Sequence, residues 1–129
     1  MRNLLRKLLE LLIVYASGII SEIGSIHQFR NEEALAKYAG IIWRKNQSGN
    51  FEADDTKMTK TGNHYLRYYL IEAANSVKNY VDTYNTFYHK KFNEVTVHQH
   101  KRSLALTSRK LVRLIYGLLS KGQLYNKNH

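Results

Sequence analysis

The sequence predicts an all-α fold, and three observations lead to this prediction. The chain has no proline and only seven glycines, which favours long uninterrupted helices over a fold rich in turns. Apolar residues recur at the three- and four-residue spacing of amphipathic helices in several segments, and no useful stretch alternates as a half-buried strand would. The length of 129 residues suffices for one domain with one hydrophobic core.

Composition excludes several functional classes. The chain has no cysteine, which excludes disulfides, thiolate catalysis and the common structural zinc sites. The longest apolar run, Leu11–Ile20, is ten residues long, whereas a membrane span needs about 20. Arg6, Lys7 and Glu10 interrupt the first apolar stretch, which argues against a secretion signal. We therefore expect no membrane partner and a cytoplasmic location.

Positive charge is concentrated in the last third of the chain. Residues 89–129 contain nine Lys or Arg and a single Glu, so they carry +8 of the formal net charge of +10. This asymmetry favours a polyanionic partner, nucleic acid before anionic lipid. A solvated basic face without a partner is the alternative interpretation.

The first 26 residues predict two helical pieces. Leucines between Leu4 and Leu12 lie on one side at helical spacing, which indicates an amphipathic helix over residues 2–15. A second, shorter helical piece is expected at Ser17–Ile26, with Gly24 as its stop.

Asn31 predicts the beginning of a further helix, Glu32–Ala39. Its side chain can cap the helix, and the two glutamates of the first turn favour the positive end of the helix dipole. We expect this helix to bury Leu35 and Tyr38 and to end at Gly40, a residue suited to a C-terminal cap.

Residues 41–61 predict an irregular polar loop. After a short extended piece at residues 41–43, the segment Asn46–Asn50 is dense in turn-forming residues. Loops of about 20 residues without secondary structure are uncommon in compact domains and are often functional. The loop is therefore the first candidate for a functional site.

A single helix of about 30 residues, about 45 Å long, is predicted from Asn63 to Phe92. Its apolar residues are spaced alternately by four and three, as in a heptad seam. They are Leu66, Leu70, Ala73, Val77, Tyr80, Tyr84 and Phe87. Such a seam predicts packing along its length against another helix or a second copy of the chain.

A basic helix is predicted at about His98–Lys121. Its inward positions are Leu104, Leu111, Ile115 and Leu118. Lys101, Arg102, Arg109, Lys110 and Arg113 are the cations of this helix, and most lie elsewhere around its circumference. These cations are candidate nucleic-acid contacts.

Six of the ten tyrosines lie between Tyr65 and Tyr88. Tyrosine rings can stack on bases, which contributes about 1–3 kcal/mol per base. For Tyr80 and Tyr84 the seam favours a place in the core instead. Tyr65, Tyr68 and Tyr88 remain open between the two interpretations.

Two groups of residues could hold a metal ion, and a plainer explanation is favoured for both. The histidines at positions 64, 98 and 100 have no carboxylate cluster beside them, and the acids at positions 52, 54 and 55 are more often solvated or helix-capping.

Ser48 could act as a nucleophile only if a base or nearby cations, such as Arg44 and Lys45, activate its hydroxyl. By itself, its Ser-Gly pair is more typical of a turn.

Several ordered blocks between Tyr15 and Tyr125 resemble a known family. They include Asn46-Gln47-Ser48-Gly49, Lys57-Met58-Thr59-Lys60-Thr61-Gly62-Asn63 and His98-Gln99-His100-Lys101-Arg102. In order and spacing they are similar to the C-terminal transposase domain of Piv/MooV-type insertion-sequence transposases. Members of that family are DEDD-type recombinases guided by a bridging RNA.

The resemblance implies DNA transposition by strand cleavage and exchange. In the family, a RuvC-like domain binds Mg²⁺ through four acidic residues, and the C-terminal domain supplies a serine that forms a covalent link to DNA. Ser48 stands at the matching Ser-Gly position and is the expected nucleophile. The expected contacts to DNA or to a structured guide RNA are Arg44, Lys45, Lys57, Lys60, Arg67, Lys101, Arg102, Arg109, Lys110 and Arg113.

The sequence departs from the family pattern at its beginning. It contains no RuvC-like domain, so we expect no metal ligand and no cofactor in this chain, and Mg²⁺ only together with that domain. The prediction divides the chain into a non-family segment (1–14), the serine-bearing transposase domain (15–125) and a tail (126–129), as in a truncated family member.

Three functional hypotheses follow from this division. The chain could act as the serine-bearing half of a transposase, inactive alone and paired with a second copy or a full-length transposase. It could instead be an inactive remnant that binds nucleic acid or pairs with transposase. The third hypothesis is an inert helical product.

Overall fold

The structure, a computed structural model, describes residues 2–43, 58 and 61–122, and within them the chain is helical. The α-helices are α1 (Arg2–Ile23), α2 (Glu32–Ala39), α3 (His64–Tyr80), α4 (Asp82–Phe92) and α5 (Gln99–Ser120). A short 3₁₀ helix at Ile26–Gln28 joins α1 to α2. The predicted all-α fold is confirmed.

Helix α3 lies at the centre of the fold and contacts α1, α2, α4 and α5. Leu66, Leu70 and Val77 on this helix are fully buried. They join one hydrophobic core with Leu35 of α2 and Leu111 of α5. Each fully buried side chain of this size contributes about 1.5–3 kcal/mol, so the surroundings of α3 supply much of the stability.

The predicted 30-residue helix is wrong: the chain forms two helices, α3 and α4, separated by Val81. Val81 adopts an extended conformation (φ −120°, ψ 115°) and inserts its side chain into the core, where it is 1% exposed. Asn85 donates a hydrogen bond from Nδ2 to the Lys78 carbonyl across the break (2.9 Å). Because α4 begins afresh at Asp82, it is rotated relative to a continuation of α3.

The break changes which aromatic residues are buried after Val77. The heptad pattern assigned Tyr80 to the core, but its side chain is 57% exposed. Beyond the break, Tyr84 is buried as the pattern predicted, whereas Phe87 is only partly buried. Val81 and Tyr88, which the pattern did not include, are buried as well. The seam therefore packs within the chain, against α5 and the other helices, and the association of two copies remains a prediction.

Helix α1 is continuous where the sequence predicted two pieces. Gly18, in its second half, does not break it. A Cβ built on Gly18 would lie 2.7–2.8 Å from the ring of Tyr69, so the missing side chain makes room for α3 to pack there. Gly24 has a positive φ of 71° just beyond the last residue of α1, as expected for a stop.

The predicted bounds and caps of α2 are confirmed. Asn31 accepts a hydrogen bond at Oδ1 from the Ala34 amide (2.9 Å), and Gly40 is left-handed (φ 75°) at the other end. Leu35 is fully buried, but Tyr38 is 38% exposed, contrary to the prediction. Its hydroxyl reaches the Glu22 carbonyl of α1 (3.4 Å) instead of the core.

Across the described ranges 2–43 and 61–122, none of the helices combines the length and apolar character that a bilayer crossing requires.

The packing of Gly18 against Tyr69 can be tested with a matched glycine. We expect Gly18→Leu to lower the free energy of unfolding by about 1–3 kcal/mol, because the tightly packed ring must shift. Gly117, inside α5, has no atom within 4 Å of an added Cβ. Gly117→Leu should raise stability by up to about 1 kcal/mol, since leucine is the better helix former. Denaturant unfolding measures both, and equal effects would contradict this account of α1.

Candidate functional site

Five predicted site residues lie outside the described residues: Ser48, Arg44, Lys45, Lys57 and Lys60. The predicted loop can therefore be followed only at its two ends. Trp43 and Met58 pair there as an isolated antiparallel β-bridge, so the chain leaves and returns at neighbouring positions. We refer to the residues that anchor these two ends, residues 40–43 and 61–67 with Met58, as the loop base.

The last four carbonyl groups of α2 all bind residues of the loop base. On the departing side, the Ile41 amide donates to the Ala36 carbonyl (2.9 Å) and the Gly40 amide donates to the Lys37 carbonyl (3.0 Å). This is a Schellman motif, which requires the left-handed residue that Gly40 provides. Ile41 is fully buried, so the chain leaves α2 in a fixed direction.

On the returning side, Gly62 lies directly against the end of α2. Its φ is +109°, and a Cβ at this position would lie 2.3 Å from the Tyr38 carbonyl oxygen. Only glycine therefore fits here without a backbone shift. The next amide, that of Asn63, donates to the same Tyr38 carbonyl (2.7 Å).

The Asn63 side chain joins three helices. Its Oδ1 accepts hydrogen bonds from the amides of Tyr65 (2.9 Å) and Leu66 (3.0 Å), and so caps α3. Its Nδ2 donates to the Glu22 carboxylate of α1 (2.9 Å) and to the Tyr38 hydroxyl of α2 (3.4 Å). One residue thus fixes where α3 begins relative to both other helices.

Arg67, predicted as a nucleic-acid contact, is a part of the loop base. Its Nη1 donates to the Ala39 carbonyl (3.2 Å), the last carbonyl of α2. The residue is half-buried, and its positive charge lies at the negative end of the α2 dipole, where it is stabilising.

Arg109 of α5 forms an ion pair with Glu32 at the beginning of α2. Both terminal nitrogens of the guanidinium donate, Nη1 to Oε2 and Nη2 to Oε1 (3.1 Å), and both side chains are about three-quarters buried. The hydrogen bond from Arg109 is the main cause that holds the pKa of Glu32 below its usual value of 4.5, with a further contribution from Arg113. Arg113 lies farther away, at 3.8 Å, and is largely exposed.

Arg102 also has partners within the chain. It donates to the carbonyl of Lys91 in the last turn of α4 (2.9 Å) and to the carboxylate of Glu94 just after α4 (3.1 Å). These contacts join the beginning of α5 to the end of α4. The hydrogen bond from Arg102 is the main cause that lowers the pKa of Glu94.

The remaining predicted cations of α5 differ in exposure. Lys101 is exposed. Lys110 is half-buried, with its ammonium 5.6 Å from the ring centre of Tyr84 and 5.2 Å from that of Phe87. Lys101 and Arg113 are thus the more accessible of the five cations predicted on this helix.

Within the described residues, no group of three or more His, Asp or Glu side chains is arranged to hold a metal ion. His64 instead stacks on Tyr65, with ring centres 4.1 Å apart. His100 is hydrogen-bonded through Nδ1 to the Tyr88 hydroxyl (2.6 Å). The acids at positions 52, 54 and 55 lie outside the described residues.

Residues 11–89 match the model of the transposase IS116/IS110/IS902 family. The chain belongs to this family. The match spans the second half of α1, α2, the predicted loop with Ser48, the whole loop base and α3. No curated protein matches the chain.

The transposase match ends within α4, at residue 89. The basic helix α5 lies beyond it, and the longer resemblance, from Tyr15 to Tyr125, remains a prediction there. The domain boundaries after residues 14 and 125 likewise remain predictions.

The three tyrosines that the sequence left open differ sharply in exposure. In this transposase Tyr65 and Tyr68 are 59% and 60% exposed. Tyr88 is 6% exposed and belongs to the interior between α4 and α5.

Sequence reasoning missed Glu22 and Tyr38 as the partners of Asn63 in the loop base. They lie 41 and 25 residues before Asn63 in the chain, so no local pattern connects them. Gly62 and Asn63 carried the available signal, because a glycine followed by asparagine directly before a helical run is typical of a constrained turn and a helix cap.

The role of Asn63 can be tested with a charge swap. We expect Asn63→Asp to keep the cap of α3 but to lower the free energy of unfolding, because the new carboxylate would face that of Glu22. Adding Glu22→Gln should restore most of the loss, since the amide can donate to the aspartate. Denaturant unfolding of both single variants and the double variant measures this coupling. Strictly additive effects would show that the two side chains do not interact.

The Glu32–Arg109 pair predicts a defined acid sensitivity. Because the pKa of Glu32 is lowered in the folded state, its contribution is fully present above about pH 4.5 and is lost as the pH falls through the folded value. We expect Glu32→Gln to cost about 1–3 kcal/mol at pH 7 and to reduce the loss of stability on acidification. Glu33→Gln is the control, as Glu33 occupies the same first turn but is exposed. Identical pH profiles for both variants would contradict this assignment.

Proposed function

We propose that this transposase cleaves and exchanges DNA strands with Ser48 as the nucleophile. Membership of the transposase family, over a match that includes Ser48 and both ends of its loop, is the observation that carries the proposal. Transposition requires that phosphodiester bonds be broken and joined. A serine hydroxyl can do both through one covalent intermediate.

The proposed reaction conserves the energy of the phosphodiester bond. The Ser48 Oγ loses its proton and attacks phosphorus, a phosphoserine ester to one DNA end forms, and the other end leaves as a hydroxyl. Attack of a hydroxyl from a second strand on this ester releases Ser48 and completes the exchange. The number of phosphate ester bonds is unchanged, so no external energy source is needed.

The loop base supports this proposal by limiting how far Ser48 can lie from the folded helices. Ser48 follows Trp43 by five residues, and five residues of fully extended chain reach about 17 Å. Trp43 is tied back to Met58. The nucleophile is thus proposed to act close to the beginning of α3 and the end of α2.

The cations of the loop base and of the segment around Ser48 favour an anionic substrate. Arg67 places a guanidinium at the end of α2, and Arg44, Lys45, Lys57 and Lys60 lie near Ser48 in the sequence. Cations next to the reacting phosphate stabilise both the bound backbone and the negative charge of the transition state. We propose that these residues hold the DNA, and that Lys101 and Arg113 add contacts from α5.

In this proposal Mg²⁺ belongs to a RuvC-like domain, where it would stabilise charge on the attacking and leaving oxygens. We assign no residue of this chain to the metal. The chain's own part is to present the serine, hold the DNA backbone and retain one DNA end covalently. A bound guide RNA and a second protein copy are further proposed partners.

The nucleophile can be tested by trapping the covalent intermediate. The chain is combined with the RuvC-like half of a transposase of this family, Mg²⁺, guide RNA and a DNA substrate nicked near the cleavage site. We expect a protein–DNA adduct that survives denaturation, and its loss, by at least about a thousandfold, in Ser48→Ala. Thr56→Ala, which removes another hydroxyl of the same segment, should retain the adduct.

Two outcomes would contradict the proposed chemistry. An adduct that persists in Ser48→Ala would assign the covalent link to another residue. DNA binding without any adduct in the unmodified chain, under conditions where an intact family member forms one, would favour the alternative function of a nucleic-acid-binding remnant.

A further inference from the structure

Two exposed tyrosines lie on one face of the first two turns of α3. Tyr65 is 59% exposed and Tyr68 is 60% exposed. They are three residues apart, which places them one above the other on the helix surface with a rise of about 4.5 Å. We refer to Tyr65 and Tyr68 as the tyrosine pair.

The core does not require the tyrosine pair. On the same turns, Leu66 and Leu70 already supply the fully buried side chains of α3, and Tyr69 packs against Gly18 of α1. Single exposed rings are common on protein surfaces, whereas two neighbouring exposed rings form a contiguous patch, and contiguous apolar patches are typical of binding sites.

Neighbouring rings restrain the tyrosine pair. His64 lies beside Tyr65, with ring centres 4.1 Å apart and planes inclined by 35°. Tyr69, itself held by the packing of α1, meets Tyr68 edge-on at 5.6 Å. Rings that are already restrained lose less conformational entropy when a ligand covers them.

The tyrosine pair begins within the loop base, to which Tyr65 belongs, and Tyr68 follows directly after it. The Tyr65 amide donates to Oδ1 of Asn63 (2.9 Å), the residue that joins α1, α2 and α3. Arg67, between the two tyrosines in sequence, binds the last carbonyl of α2. Aromatic rings and a guanidinium therefore occur together where the chain returns from Ser48.

We propose that Tyr65 and Tyr68 stack on unpaired bases next to the phosphodiester that Ser48 attacks. The inference rests on the proposed function and adds the class of substrate: a strand with unpaired bases at the site of exchange. The guanidinium of Arg67 lies at this end of α3, and the chain as a whole carries a net charge of +10, which is complementary to a polyanion. Stacking on aromatic rings tolerates every base, as an enzyme that exchanges different strands requires.

The experiment measures binding in the full-length Ser48→Ala chain, so that no chemistry interferes. The probes are a fluorescently labelled single-stranded DNA, an abasic strand of the same length and a duplex of the same sequence. We expect Tyr65→Ala/Tyr68→Ala to weaken binding of the single strand by about fivefold to hundredfold for each stacked base. Binding of the abasic strand, which has the same phosphates but no bases, should remain unchanged.

Two control variants sharpen the test. Tyr80→Ala removes a tyrosine of the same helix with nearly the same exposure, 57%, about 22 Å from Tyr65 along the axis, and should bind like the parent chain. Tyr65→Phe/Tyr68→Phe retains the rings and should retain binding. The slope of log affinity against log salt should stay unchanged in Tyr65→Ala/Tyr68→Ala, because no phosphate contact is lost.

Several outcomes would overturn the inference. The first is that Tyr65→Ala/Tyr68→Ala binds the single strand as tightly as the parent chain, or that the parent chain does not bind single strands. The second is that this variant loses as much affinity for the abasic strand as for the strand with bases. The third is that Tyr65→Phe/Tyr68→Phe loses as much affinity as the alanine variant. These results are independent of the nucleophile. Weaker single-strand binding in the tyrosine variant without an adduct at Ser48 would contradict the proposed chemistry but support the stacking. An adduct at Ser48 with unchanged binding in the tyrosine variant would support the chemistry but contradict the stacking.

Discussion

The structure depends on how the carbonyl groups at the end of α2 are satisfied. A helix leaves its last four carbonyls without partners inside the helix. In α2 these belong to residues 36–39, and each accepts a hydrogen bond from the loop base. The departing chain supplies two of the donors and the returning chain the other two. These hydrogen bonds hold the two ends of the predicted loop next to each other at the end of α2. The backbone can make them only with positive φ at Gly40 and Gly62, which explains why a glycine stands on each side of the loop.

The elements that sequence reasoning recovered are those with local chemical signals. Asn31 and Gly40 define α2 because capping depends on residues within one turn of the helix end. The break at Val81 has no such signal, since neither glycine nor proline is present, and the apolar spacing continues through it. It forms because burying Val81, Tyr84 and Tyr88 against α5 outweighs one continuous helix. Gly18 shows the converse case, a residue with a breaking signal whose tertiary contact with Tyr69 keeps the helix intact.

The candidate site was predictable in its composition but not in its connections. Gly62 and Asn63 carry a local signal for the turn and the helix cap that the structure shows there, whereas Glu22 became a partner of Asn63 only through the folding of α1 onto α3. The cations show the same limit. A count of charges cannot distinguish Arg109, which is paired with Glu32 across 77 residues, from Arg113, which is largely exposed. Because Glu32 comes from the nearly neutral first part of the chain, its carboxylate also reduces the positive field of α5 at that point.

Helix α2 is held at both of its ends. At its beginning, Glu32 is bound by Arg109 of α5, and at its end the carbonyls are bound by the loop base, while Leu35, Ala36 and Ala39 between them are fully buried. The helix has eight residues and is therefore only about 12 Å long. Such a short, buried connector transmits displacement with little bending. Without the Glu32–Arg109 pair, α2 would be held only by its buried face and by the hydrogen bonds at its far end, so one small helix carries the contacts of both α5 and the loop base.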